Sequence, residues 1–505
     1  MSSRGGQTSY GRQALSGFAW SFAGVAGQTV LQLGSIAALS RLLTPADFGI
    51  AAVGLSVVGV LQLLAQFGIA QSLVQRPRMS AQYLHAGVTL AMLLSLLLAA
   101  VMTALASAAS GWLAVAELTV VLPWLALSLP IRALGYGAEA MLQRELRFRS
   151  LSTIEFLSFA VGYAVPALAL AATGAGYMSL VAGHVGAALV RSILLLRAVP
   201  GTLGIVLHRR AYARTISYGR ALATAQGAHA LAVNLDNVVV ARNLGTFALG
   251  TYSRAYQLLV MPATIVSNVM DRVLFPILSR IREQPKRLSH AVLRSVHLTA
   301  LISLPLSALL YVTAPEIVAV LLGSQWAAVV SPFRVLSLVL VFRTTFQIGD
   351  AVARATGTLW ASAARQAVYA LAVLIGAWYG SRFGATGVAT GVSAAIIVKY
   401  LLMAQLTLRT AGIGPRAFVH AHIGGAALGA SALAVSLALA QLAHALDIPL
   451  LARLVLTFAV VPFAVAAVVL LAPAVILGPS FHTVSAAVSK RLPSATRFFQ
   501  PGATR

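Results

Sequence analysis

Long apolar runs, interrupted by short polar stretches, fill most of this chain. Runs of about 18 or more mostly apolar residues are long enough to cross the hydrocarbon core of a bilayer as helices. In order they predict spans at Leu15–Leu39, Phe48–Ala70, Tyr83–Ala108, Pro123–Met141, Leu151–Ala172 and Tyr177–Leu196. A second set follows at Ile216–Ala241, Phe247–Phe275, Val292–Val312, Pro332–Ala351, Leu359–Tyr379 and Gly384–Leu406. Phe418–Ala440 and Leu451–Ile476 complete an expected fourteen. The fold class is all-α, a polytopic membrane protein.

The first polar turn, RLLTPADFG at Arg41–Gly49, is written again as RNLGTFALG at Arg242–Gly250, an offset of 201 residues. PWLALSL at Pro123 returns as PFRVLSL at Pro332, and Gly176, Gly183 and Arg191 return as Gly384, Gly391 and Lys399. One echo in an apolar chain is chance. Three ordered echoes at similar offsets point to two related halves. Six spans per half is an even number, so both halves enter from the same side and are related by an axis along the membrane normal. The expected organisation is an N-terminal tail at 1–14, a six-helix lobe at 15–200, a linker at 201–215 and a second lobe at 216–408. Two further helices at 418–476 and a basic tail at 477–505 follow.

Composition removes the soluble alternatives. Of 505 residues, 59% are hydrophobic and only 9% charged, against about 25% charged in soluble proteins. There is no cysteine, so no disulfide framework or thiolate site is available. The polar start MSSRGGQTSYGR is followed by no short apolar core with a small-residue cleavage site, so no signal peptide is expected. The net charge of +25 would suggest nucleic acid in a soluble protein, but here the basic residues fall on alternate loops. One side holds Arg76 and Arg78, Arg144, Arg147 and Arg149, Arg209 and Arg210, Arg280 and Arg282, and the tail; the other side holds few. The positive-inside rule then puts both termini in the cytoplasm.

Charges inside spans cost about 2.5–3.5 kcal/mol each on insertion scales, so they face a bundle interior or a wet cavity. Arg132 and Glu139 lie seven apart in the fourth span, as do Arg343 and Asp350 in the tenth. Seven residues are two turns, roughly 10 Å along one helix face. That is too far for a direct ion pair unless the arginine bends toward the acid. Arg254 lies inside the eighth span, and its repeat mate is the apolar Val53. The seventh span carries Asp236 and Asn237, and the first carries Gln28 and Gln32 in a polar stripe, which also suits helix–helix association. Arg254, Arg343, Arg132, Gln28, Gln32 and Asn237 are therefore the candidate substrate contacts. Asp236, Asp350 and Glu139 are candidates for a coupling ion or proton. No metal spacing or nucleophile–base constellation is present in the sequence, so no cofactor and no catalysis are expected.

With RLLTPADFG after the first helix, LQRELRFRS after the fourth, NLDN in the seventh and LGTFALGTYSRAYQL opening the eighth, the chain resembles the Wzx-type oligosaccharide flippases. These are polysaccharide exporters of the multidrug/oligosaccharidyl-lipid/polysaccharide superfamily, and the resemblance spans roughly Leu15 to Leu406. It implies two six-helix lobes around a central cavity open alternately to each side of a bacterial inner membrane. It implies as cargo an undecaprenyl-diphosphate-linked oligosaccharide for exopolysaccharide, O-antigen or capsule, handled alongside polymerase and export machinery. Membrane lipids are the other expected partners, and nucleic acid is not one. Two rivals stand beside this reading. A drug/cation antiporter of the same superfamily needs uncompensated intramembrane acids. A membrane-embedded glycosyltransferase or polymerase commonly needs a sizeable extramembrane loop, and the longest outward loop, 313–331, holds Glu316 as its one charge.

Overall fold

The computed structural model describes residues 27–66, 81–204, 206, 209–269 and 274–471. The expected tails at 1–14 and 477–505, the start of the first span, the Arg76–Arg78 loop and the end of the last span lie outside these. Every regular element among the described residues is a helix. Among the described residues, nine helices or joined helices are long and apolar enough to cross a membrane, ten if one bent pair counts as a span. The chain divides into two compact units, Met1–Thr251 and Tyr252–Arg505.

Breaks between helices fall where the sequence supplies them. A continuous helix over Arg209–Val269 would run about 90 Å, three times the hydrocarbon thickness. It is instead broken at Gly245, whose φ of 80° and ψ of −179° suit glycine alone. The matching break in the first copy comes at Thr44, 201 residues earlier. There Asp47 N donates to Thr44 Oγ1 at 3.3 Å and Thr44 N donates to Asp47 Oδ2 at 2.9 Å, a capping box opening the helix Pro45–Gln66.

The two turns meet inside the first unit. A side chain on Gly49 would overlap the carbonyl of Thr246, and one on Gly250 would overlap the carbonyl of Pro45. Thr246 is the repeat mate of Pro45, and Gly250 the mate of Gly49. Residue i touches the mate of j while j touches the mate of i, which is the reciprocity a two-fold axis imposes.

The echoed PWLALSL and PFRVLSL segments also behave alike. Ser128 Oγ donates to Leu125 O at 2.6 Å, and its mate Ser337 donates to Arg334 O at 2.7 Å. Each serine stands at a break, between Leu118–Ala126 and Ser128–Arg144 in the first unit, and between Val330–Leu338 and Leu340–Thr356 in the second. Two extra residues separate Ser337 from Arg343, compared with Ser128 from Arg132, and the second pair bends by 48°.

In the second unit Leu278, Val292, Val296, Ile348, Val352 and Phe418 form a buried core. The helix Pro415–Ala445 lies on Pro285–Val312, with Gly425 seated against Ala300 and Gly429 against Leu304. The helix Leu450–Leu471 keeps most of its apolar surface exposed, as a lipid-facing helix does.

Candidate functional site

The fourth and sixth spans of the first unit are held flush. Ser192 Oγ donates to Ile131 O at 2.6 Å, and Gly135 leaves room for Leu195. This brings Arg191, in the helix Met178–Ala198, onto Glu139: Nη2 donates to Oε1 at 2.9 Å, and Nη1 lies 3.6 Å from Glu155. Gln143 Nε2 adds a longer bond to the same Glu139 oxygen at 3.4 Å. Glu139 thus takes its cation from another helix, and not from Arg132 two turns away. Arg132 stays within electrostatic range of Glu139, Arg191 and Tyr136, and His184 within range of Arg132.

The second unit repeats the pair. Lys399 Nζ lies 3.6 Å from Asp350, whose other oxygen accepts from Ser362 at 3.3 Å. Lys399 is 3% exposed, and its ammonium sits 4.0 Å from the Phe346 ring centre and 5.0 Å from that of Tyr369. Ion pair and aromatic faces together replace the water this ammonium gives up. Asp350 and Lys399 are the repeat mates of Glu139 and Arg191, so each half neutralises the acid of its fourth helix with a base on its sixth.

Beyond the pairs the halves differ. Arg343 donates from Nη1 to the Tyr256 hydroxyl at 3.0 Å, with its guanidinium 5.3 Å from that ring centre. Arg132, its mate, makes no hydrogen bond or ion pair among the described residues. In the seventh span Asn237 Nδ2 donates to Ser56 Oγ at 2.9 Å, and Asp236 is buried with Oδ1 accepting the Asn237 backbone N–H at 2.9 Å. Arg254 is half-buried on the same helix as Tyr252 and Tyr256, whose ring centres lie 6.0 Å apart. Gln28 and Gln32 are half-buried on the first helix, residues 27–42.

Arg132, Glu139, Asp236, Asn237, Gln28 and Gln32 lie in the first unit, and Arg254, Arg343 and Asp350 in the second. Sequence reasoning missed the roles of Arg191, Lys399, Tyr256 and Ser56. The signal for the first two was present: the echo Arg191/Lys399 runs parallel to the echo Glu139/Asp350, and opposite charges that recur together are a natural pair.

Residues 38–331 match a family model described as polysaccharide biosynthesis protein. The teichuronic acid biosynthesis protein TuaB of Bacillus subtilis is 24% identical over 359 residues, covering 68% of this chain and 72% of the relative. The lipopolysaccharide biosynthesis protein WzxC of Escherichia coli is 24% identical over 403 residues, covering 77% of this chain and 80% of the relative. A solved structure of the lipid II flippase MurJ in an inward closed conformation superposes with a TM-score of 0.71 at 12% identity, over 89% of this chain and 98% of that one. An inward-facing multidrug resistance MATE family transporter of the MOP superfamily gives 0.61 at 16% identity, over 76% of this chain and 95% of that one. At these identities the two structures establish a shared fold.

Proposed function

The chain belongs to the polysaccharide biosynthesis protein family, and on that premise we propose that it moves undecaprenyl-diphosphate-linked oligosaccharide repeat units across the bacterial cytoplasmic membrane by alternating access, for exopolysaccharide, O-antigen or capsule assembly. The observation that carries this reading is the neutralisation of Glu139 by Arg191 and of Asp350 by Lys399. With both acids held by fixed cations, the remaining guanidinium groups of Arg132, Arg254 and Arg343 set the sign of the interior. That sign suits a diphosphate, to which guanidinium presents two parallel N–H donors. Gln28, Gln32 and Asn237 would serve the hydroxyls of the sugar.

A diphosphate does not cross about 30 Å of hydrocarbon unaided, because losing its water costs far more than thermal energy supplies. A donor-lined path lowers that barrier while the isoprenoid tail stays in lipid. The process asks for no covalent step, so the protein acts as a transporter and not as an enzyme. Glu139, Asp236 and Asp350 are the acids a coupling ion or proton would use. At Glu139 and Asp350 such an ion would first have to displace a tethered base.

The multidrug transporter among the structural neighbours makes a drug/cation antiporter the rival reading. A cationic drug needs a free acid, and the two pairs remove the best-placed ones. Deletion of the gene decides between them. The flippase reading expects completed lipid-linked units to accumulate in the cytoplasmic leaflet, with normal synthesis and lost surface polymer. Units that reach the outer leaflet but stay unpolymerised would place the protein after flipping and overturn it.

A further inference from the structure

We propose that Arg132, Tyr136 and His184 form one oxyanion-binding subsite within the first unit; this rests on the flippase reading and names where that unit grips its cargo. Tyr136 stands four residues from Arg132, hence on the same helix face. Its residue is 4% exposed, and its buried hydroxyl has no hydrogen-bond partner. Gln62 and Gln66 of the second span lie near that hydroxyl without reaching hydrogen-bond geometry. His184, on the sixth span, has a buried and equally unpartnered Nε2, and lies within electrostatic range of Arg132. Arg132 itself makes no hydrogen bond or ion pair among the described residues.

A buried polar group left without a partner is costly, so native interiors rarely tolerate several together. The Tyr136 hydroxyl and His184 Nε2 are two such groups on packed helices with Arg132 beside them, and an acceptor shared by all three explains them at once. All three can donate: a guanidinium, a phenol and an imidazole N–H. The two neighbouring acids do not fill the place, because Glu139 and Glu155 are both drawn to Arg191. Arg132, Gln62, Gln66 and His184 are each partly exposed, with Tyr136 buried beneath them, so the cluster is open to a ligand. The second unit has no equivalent. There Arg343 already has Tyr256 as acceptor, and the mates of Tyr136 and His184 are Gln347 and the buried Val392. The ligand is therefore a compact oxyanion bound in one half: the diphosphate of the carrier lipid or a carboxylate on an acidic sugar.

The test uses the purified full-length protein and its Tyr136→Phe, His184→Gln and Arg132→Ala variants, with undecaprenyl diphosphate as probe. Binding and thermal midpoint are both measured, and pyrophosphate and glucuronate serve as free competitors. Tyr136→Phe should weaken lipid binding about tenfold. It should leave the unliganded midpoint unchanged or higher, since it removes a polar atom that nothing in the free protein satisfies. A merely structural tyrosine would lower the midpoint and leave binding alone. Arg132→Ala should weaken binding by at least as much, and His184→Gln should lie between wild type and Tyr136→Phe. Competition by pyrophosphate identifies the diphosphate as the ligand group, and competition by glucuronate alone identifies a sugar carboxylate. If wild type binds the lipid and Tyr136→Phe and His184→Gln bind it equally well, the subsite is wrong while the flippase reading stands. If wild type binds neither lipid nor free anion, both are wrong.

Discussion

Replacing Gly49 with alanine should disable export without unfolding the protein, and Gly250→Ala should do the same to a similar degree. A methyl carbon on Gly49 would stand 2.6 Å from the carbonyl carbon of Thr246, and one on Gly250 would stand 2.7 Å from that of Pro45. Ordinary van der Waals contact begins near 3.4 Å, so the two turns must separate by about 1 Å or more. Both obstacles are backbone atoms at helix starts, which cannot rotate aside as a side chain can. Overpacking of this kind costs about 1–3 kcal/mol, enough to shift a two-state population by roughly 5- to 150-fold. The turns would be held apart while each helix keeps its own hydrogen bonds. The chain contains no cysteine, so Ala46→Cys and Phe247→Cys can be joined cleanly by a short bismaleimide. Cross-linking and export should fall together in either alanine variant, with membrane levels near wild type. Full export from Gly49→Ala, or effects of the two variants that differ by more than about tenfold, would refute the reciprocal contact as a working part of the cycle.

Three further expectations follow. Lys399→Met should sharply reduce thermal stability, by about 3–5 kcal/mol, because Asp350 is left without its base, and the double variant Lys399→Met/Asp350→Leu should recover most of the loss. If that double variant also exports normally, Asp350 is no coupling site. Arg343→Ala and Arg254→Ala should lower export at normal membrane levels, with lysine rescuing only in part, since it presents no planar fork; full rescue by lysine would mean that charge alone suffices. Single cysteines at Ala46, Phe247 and Phe383 should react with an impermeant maleimide from outside, and those at Ser80, Gln284 and Ser494 only from inside, with reversal at Ala46 or Phe247 contradicting parallel repeats.

A helical fold that crosses the membrane many times was legible because length and apolarity suffice to mark a membrane helix, whatever its neighbours; the described residues hold nine or ten such spans of the fourteen expected. The turn echo was legible too, and the structure adds what no sequence carries: Gly49 meets Thr246 while Gly250 meets Pro45. The break after Ser337 and the π-helical stretch Ser158–Ala164 were not legible, since both depend on how neighbouring helices pack. The ion pairs were the instructive miss. Arg132 and Glu139 share a helix face, which draws attention to each other, yet Glu139 found its cation 52 residues later at Arg191. Within one helix, geometry keeps residues seven apart from touching; between helices, a serine bond and a glycine gap decide who meets whom. The packing boundary at Thr251 was equally invisible, because the seventh span's bond from Asn237 to Ser56 ties it to the first unit.

Duplication also separates scaffold from function. A repeat hands both halves the same residues, and what persists in both serves a need common to both. The Glu139–Arg191 and Asp350–Lys399 pairs persist, joining equivalent helices in each unit, so they serve a need common to both. The proposed cargo has no two-fold symmetry: a diphosphate at one end, sugars beyond it and an isoprenoid tail behind. A symmetric set of contacts would grip it in two equivalent ways and commit to neither. Where the halves diverge is therefore where recognition should reside. Arg343 is tied to Tyr256, whereas Arg132 stands beside two unpartnered donors. Arg254 is a charge where its repeat mate Val53 is apolar. On the flippase reading, asymmetry of this kind gives the diphosphate to one unit first, so that Arg132 variants should fail at capture and Arg254 variants at a later step.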